Sequence, residues 1–200
     1  MERSIINRYD QLKIRINQLK IRINQLKEHF KVETKEEGLS SRDEDLVRAF
    51  VVLSHAEFEN YFEDVALFLI NQANDEWKQT NKANYNLASL LAMSDKVEKN
   101  TPIQTIIGMM IGNYKKLIED NHGIKSHNIR SMYKPIGYNI DSFDSVFISD
   151  LDTFGSFRGQ IAHTSGTRTT ILLDYKTESD RVDRIINGIE QFNSDVISSI

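Results

Sequence analysis

The stretch LVRAFVVLSHAEFENYFEDVALFL, residues 46–69, decides the fold. Its Leu46, Val47, Phe50, Val51, Leu53, Phe58, Tyr61, Phe62, Val65, Phe68 and Leu69 recur at the ~100° step of an α-helix and fill one broad arc. So wide an arc has to be covered from several sides, which predicts the central helix of a core over residues 45–71. Composition agrees, because 2 Pro and 9 Gly among 200 residues are too few for the turns of an all-β chain. The expected fold class is all-α: an antiparallel bundle of five to six helices in a single domain, residues 1–200.

Working outward, the heptad QLKIRIN stands at 11–17 and again, unchanged, at 18–24. Ile5, Tyr9, Leu12, Ile16, Leu19, Ile23, Leu26 and Phe30 follow 4-3 spacing, which lines one seam of a long helix over residues 1–34. Ile14 and Ile21 widen the seam, so this helix suits a bundle or a dimer groove better than an isolated two-stranded coiled coil. The polar run 33–45 ends it near Gly38 and offers Ser40, Ser41 and Asp43 as N-caps for the central helix. Beyond that helix, residues 71–86 read as a polar connection. Residues 87–97 and 102–118 read as helices, the second with Pro102 in its first turn. Residues 121–141 read as a basic loop, about Ser142 to Thr164 as a helix, and about Thr177 to Ser199 as the last helix, with Val182, Ile185, Ile186, Ile189, Phe192 and Val196 on one side.

The absence of cysteine removes disulfides and thiolate chemistry, and suits a reducing cytosol. No run reaches the ~18 apolar residues of a membrane helix, so a cytoplasmic chain without a membrane span is expected. The net charge of -4 conceals an asymmetry. Residues 1–31 carry eight Lys/Arg against three acids, a balance of +5 that leaves -9 for the remainder. Such a basic arm can meet nucleic acid, or complement its own acidic body.

The chemistry-bearing residues are Arg158 and His163, in the stretch FGSFRGQIAHTSGT at 154–167. Phe147, Leu151, Phe154 and Ile161 form an apolar stripe, and Arg158 falls within it. Five residues of regular helix turn by ~500°, which leaves His163 about 140° away from Arg158. The two converge if the helix loosens at Gly155, Gly159 or Gly166, if Arg158 reaches back, or if a second protomer completes the site. A guanidinium grips phosphate oxygens bidentately and an imidazole moves a proton near neutral pH. The pair therefore fits RNA cleavage in which the 2′-hydroxyl is the internal nucleophile. No metal or cofactor is expected, since no carboxylate or histidine cluster accompanies the pair.

Arg158-x4-His163, in the penultimate helix, resembles the R-x(4–6)-H signature of HEPN domains, all-α proteins that often act as RNases in toxin and antiviral systems. The stretch 46–69 resembles the second helix of the RiboL-PSP group of that superfamily. NHGIKSHNIRSMYKPIG, 121–137, resembles the connection before its motif helix. The resemblance covers roughly residues 40–200 and leaves the duplicated heptad outside. It implies a face-to-face homodimer in which both Arg158 and His163 pairs line one cleft. His163 would be acid/base and Arg158 the phosphate contact, in a metal-independent endoribonuclease of toxin or phage-defence type. Partners implied are RNA and an antitoxin or another defence component. The alternative is a non-catalytic HEPN module for RNA binding or helical dimerisation. Gly159 departs from the polar residue that follows the Arg in many relatives. Thr164 and Ser165 replace the His-x-Tyr extension of toxins modified by a nucleotidyltransferase, which argues against that control.

Four further readings remain. Glu57 lies within the central arc and needs a partner, for which Arg158, a structural cation or a loop donor all serve. Glu59 is expected to be solvated, sharing an exposed ion pair with His55 at i, i+4. Lys125, His127, Arg130 and Lys134 form a basic segment suited to an RNA backbone or simply to solvent. Trp77, the one tryptophan, is suited to stacking a base or covering the end of a core.

Overall fold

The computed structural model describes residues 2–32, 39–93, 100–163 and 174–198, and within them the side chains of all but 2–9, 12, 162–163, 195 and 197–198. Among these, α-helices follow one another as α1 (Glu2–His29), α2 (Ser41–Thr80), α3 (Tyr85–Ala92), α4 (Ile103–Glu119), α5 (Ser126–Tyr133), α6 (Ser145–His163) and α7 (Tyr175–Ser198). The chain is all-α, with no strand among the described residues.

Helix α2 runs past its expected end. Residues 71–80 contain neither Pro nor Gly, and Ile70, Ala73 and Trp77 carry the apolar spacing on until Asn81 adopts a positive φ of 54°. Trp77 is therefore helical and half-buried, not part of a connection. Leu53, counted in the apolar arc, is 38% exposed and stands outside it. At the other end, the Ser40 hydroxyl accepts from the Asp43 amide at 3.2 Å while the Asp43 carboxylate accepts from the Ser40 amide at 3.2 Å, a reciprocal cap. Residues 121–141 are not a loop throughout: they hold α5 and 3₁₀ turns at Lys134–Ile136 and Ile140–Ser142.

The chain divides into two compact units, with α2 crossing from the first to the second after Tyr61. The first comprises Met1–Tyr61, Gly123–Lys125 and Phe143–Ile200, and so holds α1, the first half of α2, α6 and α7. Ile16, Leu19, Ile23 and Leu26 are buried, so the heptad seam is a core face. Ile14 and Ile21, at 47% and 60% exposure, do not widen it. The basic face of α1 meets acids of the same unit: Lys27 Nζ to Asp183 Oδ1 at 2.5 Å, Arg22 Nε to Glu57 Oε1 at 2.9 Å, and Lys20 to Glu190. The arm thus complements its own body. Gly188 of α7 packs tightly on Phe147 of α6, since a Cβ there would lie 2.1 Å from the ring.

The second unit comprises Phe62–His122 and Ser126–Ser142. Its buried hydroxyls and amides are spent on backbone carbonyls. Tyr133 Oη donates to Phe62 O at 2.8 Å, Tyr114 Oη to Met132 O at 2.7 Å, and Asn86 Nδ2 to Ile136 O at 2.9 Å. Gly137, at φ 95°, turns the chain where a Cβ would strike Ser89 and Tyr85 at 2.5 Å.

Candidate functional site

Helix α6 begins where the Asp144 carboxylate accepts the amides of Val146 and Phe147, both at 2.9 Å. It then continues without interruption through Gly155 and Gly159 to His163. Loosening at Gly155 or Gly159, one of the three ways in which Arg158 and His163 could converge, does not occur, and Gly166 lies outside the described residues. The His163 backbone closes the helix, while its side chain, like Thr164 and Ser165, lies outside the description. With the helix regular, positions 158 and 163 stand about 140° apart around the α6 axis.

Arg158 is half-buried, one turn beyond the fully buried Phe154. Phe154 packs on α2 through Phe58, ring centroids 5.9 Å apart, and through His55, 6.4 Å apart and nearly parallel at 22°. His55 is 2% exposed and therefore not the surface residue anticipated. Burial first, and the Arg158 guanidinium second, push its pKa from 6.5 down to about 4, so the imidazole is neutral at physiological pH. Glu59 turns toward it, Oε2 standing 3.7 Å from Nδ1, and is 19% exposed instead of solvated. At 3.7 Å this is an electrostatic contact and not a hydrogen bond. Among the described residues, His55 Nδ1 and Arg158 Nε are both buried without a hydrogen-bond partner. Buried donors in that state are costly and call for a ligand or water to satisfy them.

Glu57 belongs elsewhere. It pairs with Arg22 of α1 and is 30% exposed, so it is not a support for Arg158. The helical wheel explains this, because Glu57 follows Leu53 by four residues and shares its partly open side. The same arithmetic reveals His55, since Val51, Phe58 and Phe62, at i−4, i+3 and i+7, are all fully buried. Periodicity could have found it.

The basic segment does not act as one patch. Lys125 is half-buried, and its Cγ lies 2.9 Å from where a Cβ would stand on Gly155, so Gly155 admits the lysine stem across α6 one turn before Arg158. Arg130 is engaged by Asp141. His127 and Lys134 are exposed in the second unit, where Lys134 and Arg130 line a shallow 240 Å³ groove. Nearer the start of α6, Asp150 accepts a bidentate pair from Arg184, Nε to Oδ2 at 2.8 Å and Nη2 to Oδ1 at 2.9 Å. Arg181 bridges to Glu178, fully buried, whose pKa burial raises. The Asp150–Arg184 pair ties α6 to α7, whereas Arg181 and Glu178 pair within α7. No group of three His, Asp or Glu side chains among the described residues converges as a metal site.

A family model described as RiboL-PSP-HEPN matches residues 17–198. The chain belongs to that HEPN-domain family. The match takes in the second QLKIRIN copy at 18–24, which agrees with its buried seam and extends the resemblance beyond residues 40–200. Comparison with curated proteins and with solved structures finds no match.

Proposed function

We propose that this chain is a metal-independent endoribonuclease working as a homodimer in the cytoplasm, in toxin or phage-defence biology. The observation that carries the reading is Arg158: a cation on the packing face of α6, its Nε buried and unpartnered among the described residues, in the R-x4-H motif of a HEPN chain. A phosphodiester supplies the missing acceptor. Arg158 binds the non-bridging oxygens and offsets the charge that develops as the phosphorus becomes five-coordinate. His163 accepts the 2′-hydroxyl proton as that oxygen attacks phosphorus, and the protonated His163 of the second protomer gives its proton to the departing 5′-oxygen as the P–O5′ bond breaks. The products are a 2′,3′-cyclic phosphate and a 5′-hydroxyl. The separation of positions 158 and 163 by about 140° around a regular helix supports a composite cleft, in which one protomer's Arg158 faces its partner's histidine.

The test is incubation of the protein, His163→Ala and Arg158→Ala with single-stranded RNA in excess EDTA, with mass analysis of the fragment ends. Cleavage by the wild type to cyclic-phosphate ends, reduced about a hundredfold or more in each folded variant, is expected. Folded dimers that leave RNA intact would instead favour a binding module.

A further inference from the structure

The second unit carries an open groove of 470 Å³ between α2 and α4 that no part of the preceding mechanism uses. Its floor is Ile107 and Ile111, 2% and 6% exposed, and Trp77 with Lys78 and Lys115 line it. Two glycines of α4, Gly108 and Gly112, stand one turn apart on its wall, and a Cβ at either would meet nothing within 4 Å. Each glycine inside a helix is unfavourable relative to alanine, and here no close packing among the described residues repays it. The groove is kept clear for something outside the chain.

Its chemistry selects the occupant. The single tryptophan presents an aromatic surface, two lysines flank it, Asn74 and Gln104 add amide donors, and among the described residues no acidic side chain lines the space. That pairing of cations with an aromatic platform is notable in a chain of net charge -4. Two ammonium groups at a groove without a lining carboxylate call for an occupant that supplies the counter-charges. A single-stranded nucleic acid brings its own, with a base on the indole and neighbouring phosphates on the lysines.

We propose that the Trp77 groove is a single-stranded RNA subsite, stacking one base on Trp77 between phosphates held by Lys78 and Lys115. It rests on the reading of RNA as substrate and adds to it a second point of contact with the chain.

The sole tryptophan is its own reporter. A 2′-O-methyl oligouridine, which cannot be cleaved for want of a 2′-hydroxyl, is titrated into the dimer while indole fluorescence and oligonucleotide anisotropy are followed. Quenching that saturates with anisotropy is expected. Gly108→Leu with Gly112→Leu, which places side chains in the groove from positions where a Cβ meets nothing within 4 Å, should weaken binding about five- to a hundredfold, the range of one lost stacked base. Lys78→Ala with Lys115→Ala should flatten the salt dependence by about one to two phosphate contacts. Binding without a fluorescence change, equal in the filled variant, overturns the subsite. So does a fluorescence change that follows protein concentration and not RNA, which would mark a contact between copies. Cleavage of unmodified RNA, assayed in parallel, separates the two ideas. Cleavage with an indifferent groove leaves the nuclease standing and the subsite refuted. Quenching without cleavage upholds the subsite and refutes the nuclease, and neither response refutes both.

Discussion

His55 makes the stability of this protein depend on pH in a window set by its burial. The imidazole is 2% exposed, and its pKa falls from 6.5 to about 4 through burial and the charge of Arg158. The folded state therefore binds its proton less readily than the unfolded chain. Above the unfolded value both states are neutral there and nothing is lost; as pH falls below it, the unfolded chain gains a proton the folded one refuses. At about 1.36 kcal/mol per pH unit, the loss reaches about 2 kcal/mol near pH 5 and about 3 kcal/mol below the folded value. Acidic side chains titrate in part of that window, so the measurement is a difference. Urea unfolding of wild type and His55→Gln is compared at about pH 8 and about pH 5, where the variant, lacking the titration, should gain about 2 kcal/mol relative to wild type on acidification. An anion seated on Arg158 removes the smaller cause and should raise the His55 pKa, visible in its ring-proton NMR titration with inorganic phosphate. A wild-type and variant pair that loses stability in parallel, or an imidazole titrating near 6.5, would refute the placement of His55 beside Arg158.

Gly188→Ala should lower stability by about 1–2 kcal/mol in thermal or urea melts, because the new methyl must displace the Phe147 ring at 2.1 Å and overpacking outweighs the gain in helix propensity. Gly159→Ala should do the opposite, raising stability by up to about 1 kcal/mol, since a Cβ there meets nothing within 4 Å. Glu57→Gln breaks only the half-exposed pair with Arg22 and should cost under about 1 kcal/mol while leaving RNA cleavage unchanged. A loss of cleavage comparable to that of Arg158→Ala would return Glu57 to the site.

Much of the candidate site was legible in residue order, and the misreadings have local causes. Arg158 and His163 declared themselves because a cation inside an apolar stripe and an imidazole at fixed spacing are visible without coordinates. Glu57 and His55 were exchanged because a broad arc on a helical wheel does not reveal where its edges fall. Leu53 and Glu57 lie past one edge, and His55 lies inside. Residues 71–80 were read as connection because their polarity hid a thin apolar thread through Ala73 and Trp77. Residues 126–133 were read as loop because a helix of about two turns is too short to show a clear apolar period.

Local rules acting along the chain determined the all-α class, the core face of α2, the heptad seam and the motif helix, since side-chain period and capping are set by residues a few positions apart. Contacts between residues far apart in sequence were decided by tertiary structure alone: that the basic arm is neutralised by Asp183 and Glu190, that Glu57 goes to Arg22, and that Arg158 comes to a neutral His55. An ion pair or a buried imidazole depends on which helices cross and at what height, and that geometry emerges only when apolar faces are packed together.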